Sequence, residues 1–295
     1  MSTAMEKAAV LVEALPYIAK FHNKIVVIKY GGHAMINQEL KEAVFTDLVL
    51  MKYVGMLPVV VHGGGPEITA MLNRLGIESQ FAGGMRVTDE ATMEIAEMVL
   101  VGKINKDIVA HINRIGGQGV GISGKDANLF LAAKKLHRIS APDGQSELVD
   151  IGYVGELIKV NPEVILNLIR DDYIPIVAPV AVGENGASYN VNADYAAGSL
   201  AAALKADKLI ILTDVEGIMT DKNDPASLIS TLRADDFEAM VEEGKIDGGM
   251  IPKVECCLEA LAGGVGVTHI LDGRTPHSIL LEIFTDKGIG TMVEK

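Results

Sequence analysis

The sequence predicts an α/β protein with a mainly parallel central sheet, arranged as two lobes that share one continuous sheet. Three observations lead there. Short Val- and Ile-rich runs alternate with stretches of helical periodicity. Several of these runs are apolar throughout, as strands covered on both faces require. No Pro- or Ser-rich linker and no convincing repeat divides the 295 residues, although the length alone would allow either one large α/β domain or two smaller ones.

The elements follow in order. Ala8, Leu11, Leu15 and Ile18 recur at helical spacing, so residues 5–20 should form an amphipathic helix, with Pro16 inviting a kink. From Ile25 the run IVVIK, a helix over 38–54, the run LPVVV at 57–61 and a helix near 67–75 make a βαβ unit. Thr88 is a candidate N-cap for a long helical pattern over 91–115. Alternating stretches between Val120 and Val160, punctuated by Gly124, Pro142-Asp143-Gly144 and Gly155, suit hairpins added to the sheet edge. Pro162 starts a helix, Ile174 a strand, Asn192 an Ala-rich helix and Lys208 a buried strand. Helices over 235–243 and 249–262, the strand GVTHIL and a last helix from Pro276 complete the chain. The expected division is a helix over 1–22, an N-terminal lobe over 23–180 and a C-terminal lobe over 181–295, with the break near 181–189.

Composition narrows the function. Against 39 acidic side chains stand 26 basic ones, a net charge of −13 without a basic run, which makes nucleic acid a poor partner. An anionic ligand must be held by a few local cations and backbone amides. The only cysteines, Cys256 and Cys257, are sequence neighbours poorly placed for a structural disulfide, which suits buried reduced thiols in the cytoplasm. No apolar run reads as a membrane span or as a signal segment, so no membrane partner is expected.

Two familiar patterns fail on context. Gly119, Gly121 and Gly124 satisfy G-x-G-x-x-G, and GVGISGK resembles a phosphate-binding loop, but Asp126 replaces the Ser or Thr that would hold Mg²⁺, and Val120 and Ile122 alternate like a strand. HGGG at 62–65 matches the oxyanion loop of esterases, yet no G-x-S-x-G supplies a nucleophile. What remains is a glycine loop between a strand and a helix, either a tight turn or an anion cradle; three consecutive glycines exceed what a turn needs.

Other residues gain meaning together. Lys29 at a strand end could simply snorkel to solvent, but Lys29-Tyr30-Gly31-Gly32 and His62-Gly63-Gly64-Gly65 follow successive strands, and ligands of open α/β sheets bind beyond such carboxyl ends. Arg86, in GGMRVTD, could clamp a carboxylate or sit in a surface ion pair. Asn190, Asn192 and Asp194 crowd one helix start, where capping needs only one of them. Lys253 follows a glycine pair in GGMIPK, and Thr213-Asp214-Val215-Glu216-Gly217 is a further loop at a strand's carboxyl end.

Taken in order, KYGG, VVHGGGP, GMRVTD, NVNAD, LTDVEGI and GGMIPK span Lys29 to Lys253 and resemble the acetylglutamate kinases, of the amino acid kinase family. The resemblance implies an open αβα sandwich whose N-terminal lobe holds N-acetyl-L-glutamate and whose C-terminal lobe holds MgATP. It implies that Lys29, Lys253, Asp194 and Gly32 carry catalysis, with Asp194 orienting the lysines and Gly32 and Gly64 offering amides. Gly64, Gly65, Arg86 and Asn190 would bind the acetylated amino acid, and Thr213, Asp214, Val215, Gly217 and Met219 the nucleotide, with no metal held by the protein alone. The first helix and a C-terminal stretch with Glu282, Gly288 and Gly290 resemble the arginine-inhibited branch. That implies feedback by L-arginine and a dimer-based homo-oligomer, a hexamer. Alternatives are a catalytically silent sensor of the same fold, or a family kinase acting on another carboxylate or on carbamate.

Overall fold

The apolar runs assemble into one eight-stranded sheet in a computed structural model of the chain, which describes residues 3–82, 85–140, 146–221, 224–285 and 288–295. The first half supplies α1 (Ala4–Phe21), β1 (Ile25–Tyr30), α2 (Gln38–Tyr53), β2 (Leu57–His62), α3 (Gly65–Arg74), the short β3 (Phe81–Ala82) and β4 (Met85–Arg86), α4 (Glu90–Glu97) and α5 (Asn105–Arg114). Then come β5 (Gly119–Ser123), β6 (Phe130–Ser140), β7 (Ser146–Val160), α6 (Glu163–Arg170), β8 (Ile174–Ala178), β9 (Val180–Val182) and β10 (Ser188–Val191). The remainder is α7 (Ala193–Leu204), β11 (Lys208–Thr213), β12 (Thr231–Arg233), α8 (Phe237–Glu242), α9 (Ile251–Ala262), β13 (Val267–Asp272), α10 (Ser278–Ile283) and β14 (Thr291–Glu294).

In the large sheet the order is β12-β14-β13-β11-β1-β2-β8-β5, and only the β13–β14 pair is antiparallel. Alternation along the strands divides the core between two faces. Val26, Ile28 and Tyr30 join the cluster under α2, whereas Val27, Val59 and Val61 join the one under α7 and α9. Burying each such side chain contributes about 1.5–3 kcal/mol, so both helical layers are held by the same strands. On one face α7 and α9 come so close that a Cβ on Gly198 would lie 2.6 Å from Cys256 Sγ.

Several expectations need correction. The β6–β7 hairpin does not extend the large sheet: it closes with β9 and β10 into a separate four-stranded unit, while β5 alone forms that sheet edge. The turn Pro142-Asp143-Gly144 lies outside the described residues, as do Gly83 and Gly84. Asp89, not Thr88, caps α4, accepting from the Thr92 amide at 2.8 Å; Thr88 instead bridges to Gly152. The pattern expected over 91–115 is helical as far as Arg114, but residues 98–104 form a π-helix between α4 and α5. Helix α1 continues past Pro16 and starts with a capping box of Thr3 and Glu6. Among the described residues no helix is long and apolar enough to cross a membrane.

Candidate active site

Lys29 shares its side of β1 with Val27 and therefore faces the layer that holds α7. The first turn of α7 puts Asp194 opposite it. Lys29 Nζ lies 3.0 Å from Asp194 Oδ1, and Lys253 Nζ, from the first turn of α9, lies 2.7 Å from Oδ2. Asn192 caps α7, its side-chain oxygen accepting from the amides of Asp194 and Tyr195 at 2.8 and 3.4 Å, so Asp194 is left to the lysines. Burial would lift the Asp194 carboxyl; the charges of Lys29 and Lys253 and their hydrogen bonds outweigh that and hold it at about 2.

The two glycine loops meet beside this triad. In the β1–β2 register Tyr30 is paired with His62, and the Gly63 amide donates to Tyr30 O at 2.8 Å. Gly32 has φ +70°, and a side chain there would strike the Asp214 carboxylate, so both conformation and space demand glycine. At Gly64 a Cβ would overlap methyl groups of Leu100 and Ile104, which rise from the π-helical turn. Helix α3 then opens with Gly65 and Pro66, so its N-terminus follows directly on the loop.

Arg86 closes the far side. Its guanidinium donates to Ser79 Oγ at 2.9 Å, Thr69 Oγ1 at 2.7 Å and Gly65 O at 3.0 Å, and lies 4.8 Å above the Phe81 ring. Lys29, Gly32, Gly64, Gly65, Arg86, Asn190 and Asp194 all line one cleft of about 280 Å³. Thr213, Val215, Gly217 and Met219 line a second, of about 380 Å³, together with Lys253. Lys253 therefore stands in one cleft while its ammonium reaches the carboxylate of the other. Asp214 is the exception among the residues expected at the nucleotide: it does not line the second cleft and lies against Gly32.

Glu282, Gly288 and Gly290 come together at a third cavity of about 730 Å³, beside Tyr17 and Lys20 of α1. There Glu282 Oε1 takes Lys208 Nζ at 2.9 Å and His269 Nε2 at 2.7 Å. Burial would raise this carboxyl too, but the His269 hydrogen bond and the Lys208 charge bring it to about 2.

Sequence reasoning missed Lys208 and His269, whose only signal was a charge and an imidazole inside otherwise apolar strands. It also missed Lys245, Asp247 and Met250 of the second cleft, which flank the glycine pair that marked Lys253. The arrangement can do something definite: two ammonium groups held by one carboxylate, beside two glycine loops, can hold one anionic group between two ligand clefts, while a guanidinium stands at the far side of the first.

Comparison with known proteins agrees. Residues 24–272 match the amino acid kinase family. The acetylglutamate kinase of Pelotomaculum thermopropionicum is 71% identical over 295 residues, 100% of both chains, and that of Heliobacterium modesticaldum is 63% identical over the same span. Among solved structures, N-acetylglutamate synthase of Neisseria gonorrhoeae, complexed with coenzyme A and N-acetyl-glutamate, superposes with a TM-score of 0.81 at 26% identity, covering 98% of this chain and 63% of that longer one. Carbamate kinase from Giardia lamblia superposes with a TM-score of 0.63 at 18% identity over 92% of this chain and 98% of its own, a likeness of fold. With its fold, its lysine–aspartate triad and its full-length relatives in agreement, the chain belongs to the amino acid kinase family.

Proposed function

We propose that the protein transfers the γ-phosphoryl group of ATP to the γ-carboxylate of N-acetyl-L-glutamate, giving N-acetyl-L-glutamyl 5-phosphate and ADP for arginine biosynthesis. The observation that carries this reading is Asp194 holding Lys29 and Lys253 from two adjoining clefts. A carboxylate nucleophile, with a pKa of about 4.3, is already ionised at neutral pH, so the site needs no general base. Its oxygen attacks phosphorus while the bond to the β-phosphate oxygen breaks, and the charge spreads over the equatorial oxygens. Lys29 and Lys253 meet that charge, with amides of Gly32 and Gly64 as further donors. Arg86, Asn190 and the Gly64-Gly65 turn hold the acetylated amino acid; Thr213, Val215, Gly217 and Met219 hold the nucleotide. Mg²⁺ comes with the nucleotide, whose phosphates supply the oxygen ligands it prefers, and offsets their charge.

The same reading assigns L-arginine, as feedback inhibitor, to the cavity around Glu282, Gly288 and Gly290, where the carboxylate suits a guanidinium. Helix α1 would interlace dimers into a hexamer; Met5, Val10, Leu11, Val12 and Leu15 on it are all at least 60% exposed in the single chain and want a partner. Two free thiols fit a reducing, cytoplasmic setting. The test is acyl phosphate trapped as hydroxamate from ATP and N-acetylglutamate, against glutamate, aspartate and carbamate. Acetylglutamate should give the product; its absence, or preference for another acceptor, overturns the assignment.

A further inference from the structure

His62 ends β2, is wholly buried and does not line either cleft, so the reaction described above gives it no task. Its ring is nevertheless held at both nitrogens. Nδ1 lies 2.8 Å from Gly63 O, and Nε2 lies 3.2 Å from Asn105 Nδ2. A carbonyl oxygen can only accept and an amide NH₂ can only donate, so both contacts require the same neutral form, with the proton on Nδ1.

The direction of the Asn105 amide is itself fixed. Its two N–H groups are shared among three acceptors, His62 Nε2, Ile176 O at 2.9 Å and Ile122 O at 3.3 Å, and its Oδ1 accepts from Lys106 Nζ at 3.1 Å. Turning it over would set oxygen against two carbonyls. Asn105 directly follows the π-helical turn, the same turn that sends Leu100 and Ile104 under Gly64. A Cβ on Gly121 would overlap Asn105 Oδ1, which explains one glycine of the G-x-G-x-x-G pattern that carries no nucleotide fingerprint.

A trans peptide sets the carbonyl of one residue and the amide of the next in opposite directions. Fixing Gly63 C=O against His62 Nδ1–H therefore also fixes where Gly64 N–H points. We propose that His62, kept in its Nδ1–H tautomer by Asn105, is a positioning residue that aims the Gly64 amide at the transferring phosphoryl group. This rests on the reading of that amide as a phosphoryl donor. In the other tautomer the Nδ1 lone pair would face Gly63 O, and the peptide would turn. Burial keeps the ring neutral, drawing its pKa from 6.5 to about 4, with the nearby Lys106 charge acting in the same direction.

Nitrogen NMR of the histidine-labelled full chain at neutral pH reads the tautomer directly. The wild type should show His62 as Nδ1–H, and Asn105→Leu should move it toward Nε2–H; an Nε2–H ring or an imidazolium in the wild type overturns the proposal. In turnover, Asn105→Leu and His62→Leu should lower kcat by roughly tenfold or more, a larger factor than any change in acetylglutamate KM. His62→Asn, whose amide can replace the Nδ1–H donor, should recover a substantial part of that loss. Equal losses in His62→Asn and His62→Leu, or effects on KM alone, also overturn it. A wild type unable to phosphorylate acetylglutamate would reject the functional reading instead, whatever the tautomer.

Discussion

Asp194→Asn removes one negative charge from between two ammonium groups and barely changes side-chain size. In the wild type the carboxyl is drawn from an ordinary 3.8 to about 2, so its ionised form contributes about 2 kcal/mol to stability. Because this pKa is depressed, the contribution is present in full above about 4 and fades as pH falls through the folded value. Asparagine can accept from one lysine but must turn NH₂ toward the other, leaving Lys29, which is 8% exposed, without a counter-charge. Breaking a buried pair in that way costs about 3–5 kcal/mol, which for a chain of this size lowers Tm by roughly 6–20 °C. Differential scanning calorimetry at neutral pH should show that drop, and the gap between the two proteins should narrow in acid below about pH 4. Hydroxamate assays should show kcat down by roughly a hundredfold or more, since both cations lose their aim. An unchanged Tm together with kcat within about threefold of the wild type would refute the role of Asp194 as organiser of the lysines.

Lys253→Ala should lower kcat by roughly a hundredfold with little change in acetylglutamate KM, because its ammonium serves the transferring group; a pure KM effect would demote it. Arg86→Lys keeps the charge but cannot reproduce three directed hydrogen bonds and the stacking on Phe81, so acetylglutamate KM should rise about tenfold or more in steady-state kinetics. Deleting residues 1–21 removes the exposed apolar helix and one wall of the Glu282 cavity. Sedimentation should then show an active dimer with a weakened arginine response, and unchanged size and inhibition would count against both ideas. Burial pushes the Cys257 thiol to about 12 and raises Cys256 as well, so a thiol reagent at neutral pH should titrate neither until the chain unfolds.

The strands of the large sheet were legible because both of their faces are buried, which leaves uninterrupted Val and Ile runs that no loop tolerates. The π-helical turn was not, since the apolar spacing over 91–115 fits a helix whether or not one turn is widened. The β6–β7 hairpin misled for a related reason: alternation announces strands, and it does not say whether they join an existing sheet or close on themselves. At the site, the glycine loops and both lysines stood out by type and spacing, whereas Asp194 could be read as one of three possible caps. Only the geometry separates them, with Asn192 capping the helix and Asp194 reaching the lysines. Long-range partners such as Lys208 and His269 with Glu282 carry no local signal, because their pairing is made by the sheet order.

A chain of net charge −13 must still seat a nucleotide triphosphate beside a dicarboxylate. Surface acids act weakly at this distance, since the Debye length is about 8 Å at physiological salt, so the balance is set inside the cleft. At the lysine–aspartate triad two ammonium groups and one carboxylate leave a single positive charge, with the Arg86 guanidinium lining the same cleft. Each ammonium carries three N–H donors; one of them is directed at Asp194, and the others stay oriented for oxygens that become more negative as transfer proceeds. Without the carboxylate, two full positive charges would bind ground-state phosphates and products tightly, and each amine could rotate away from the reacting group. With it, binding is moderated and direction is retained, which is the condition for stabilising a transition state more than a ground state. Although Lys253 lines the second cleft and Lys29 the first, their ammonium groups meet at the two oxygens of Asp194, 2.7 and 3.0 Å away, and face the transferring group together. That shared focus is why Asp194 should be read in kcat before KM.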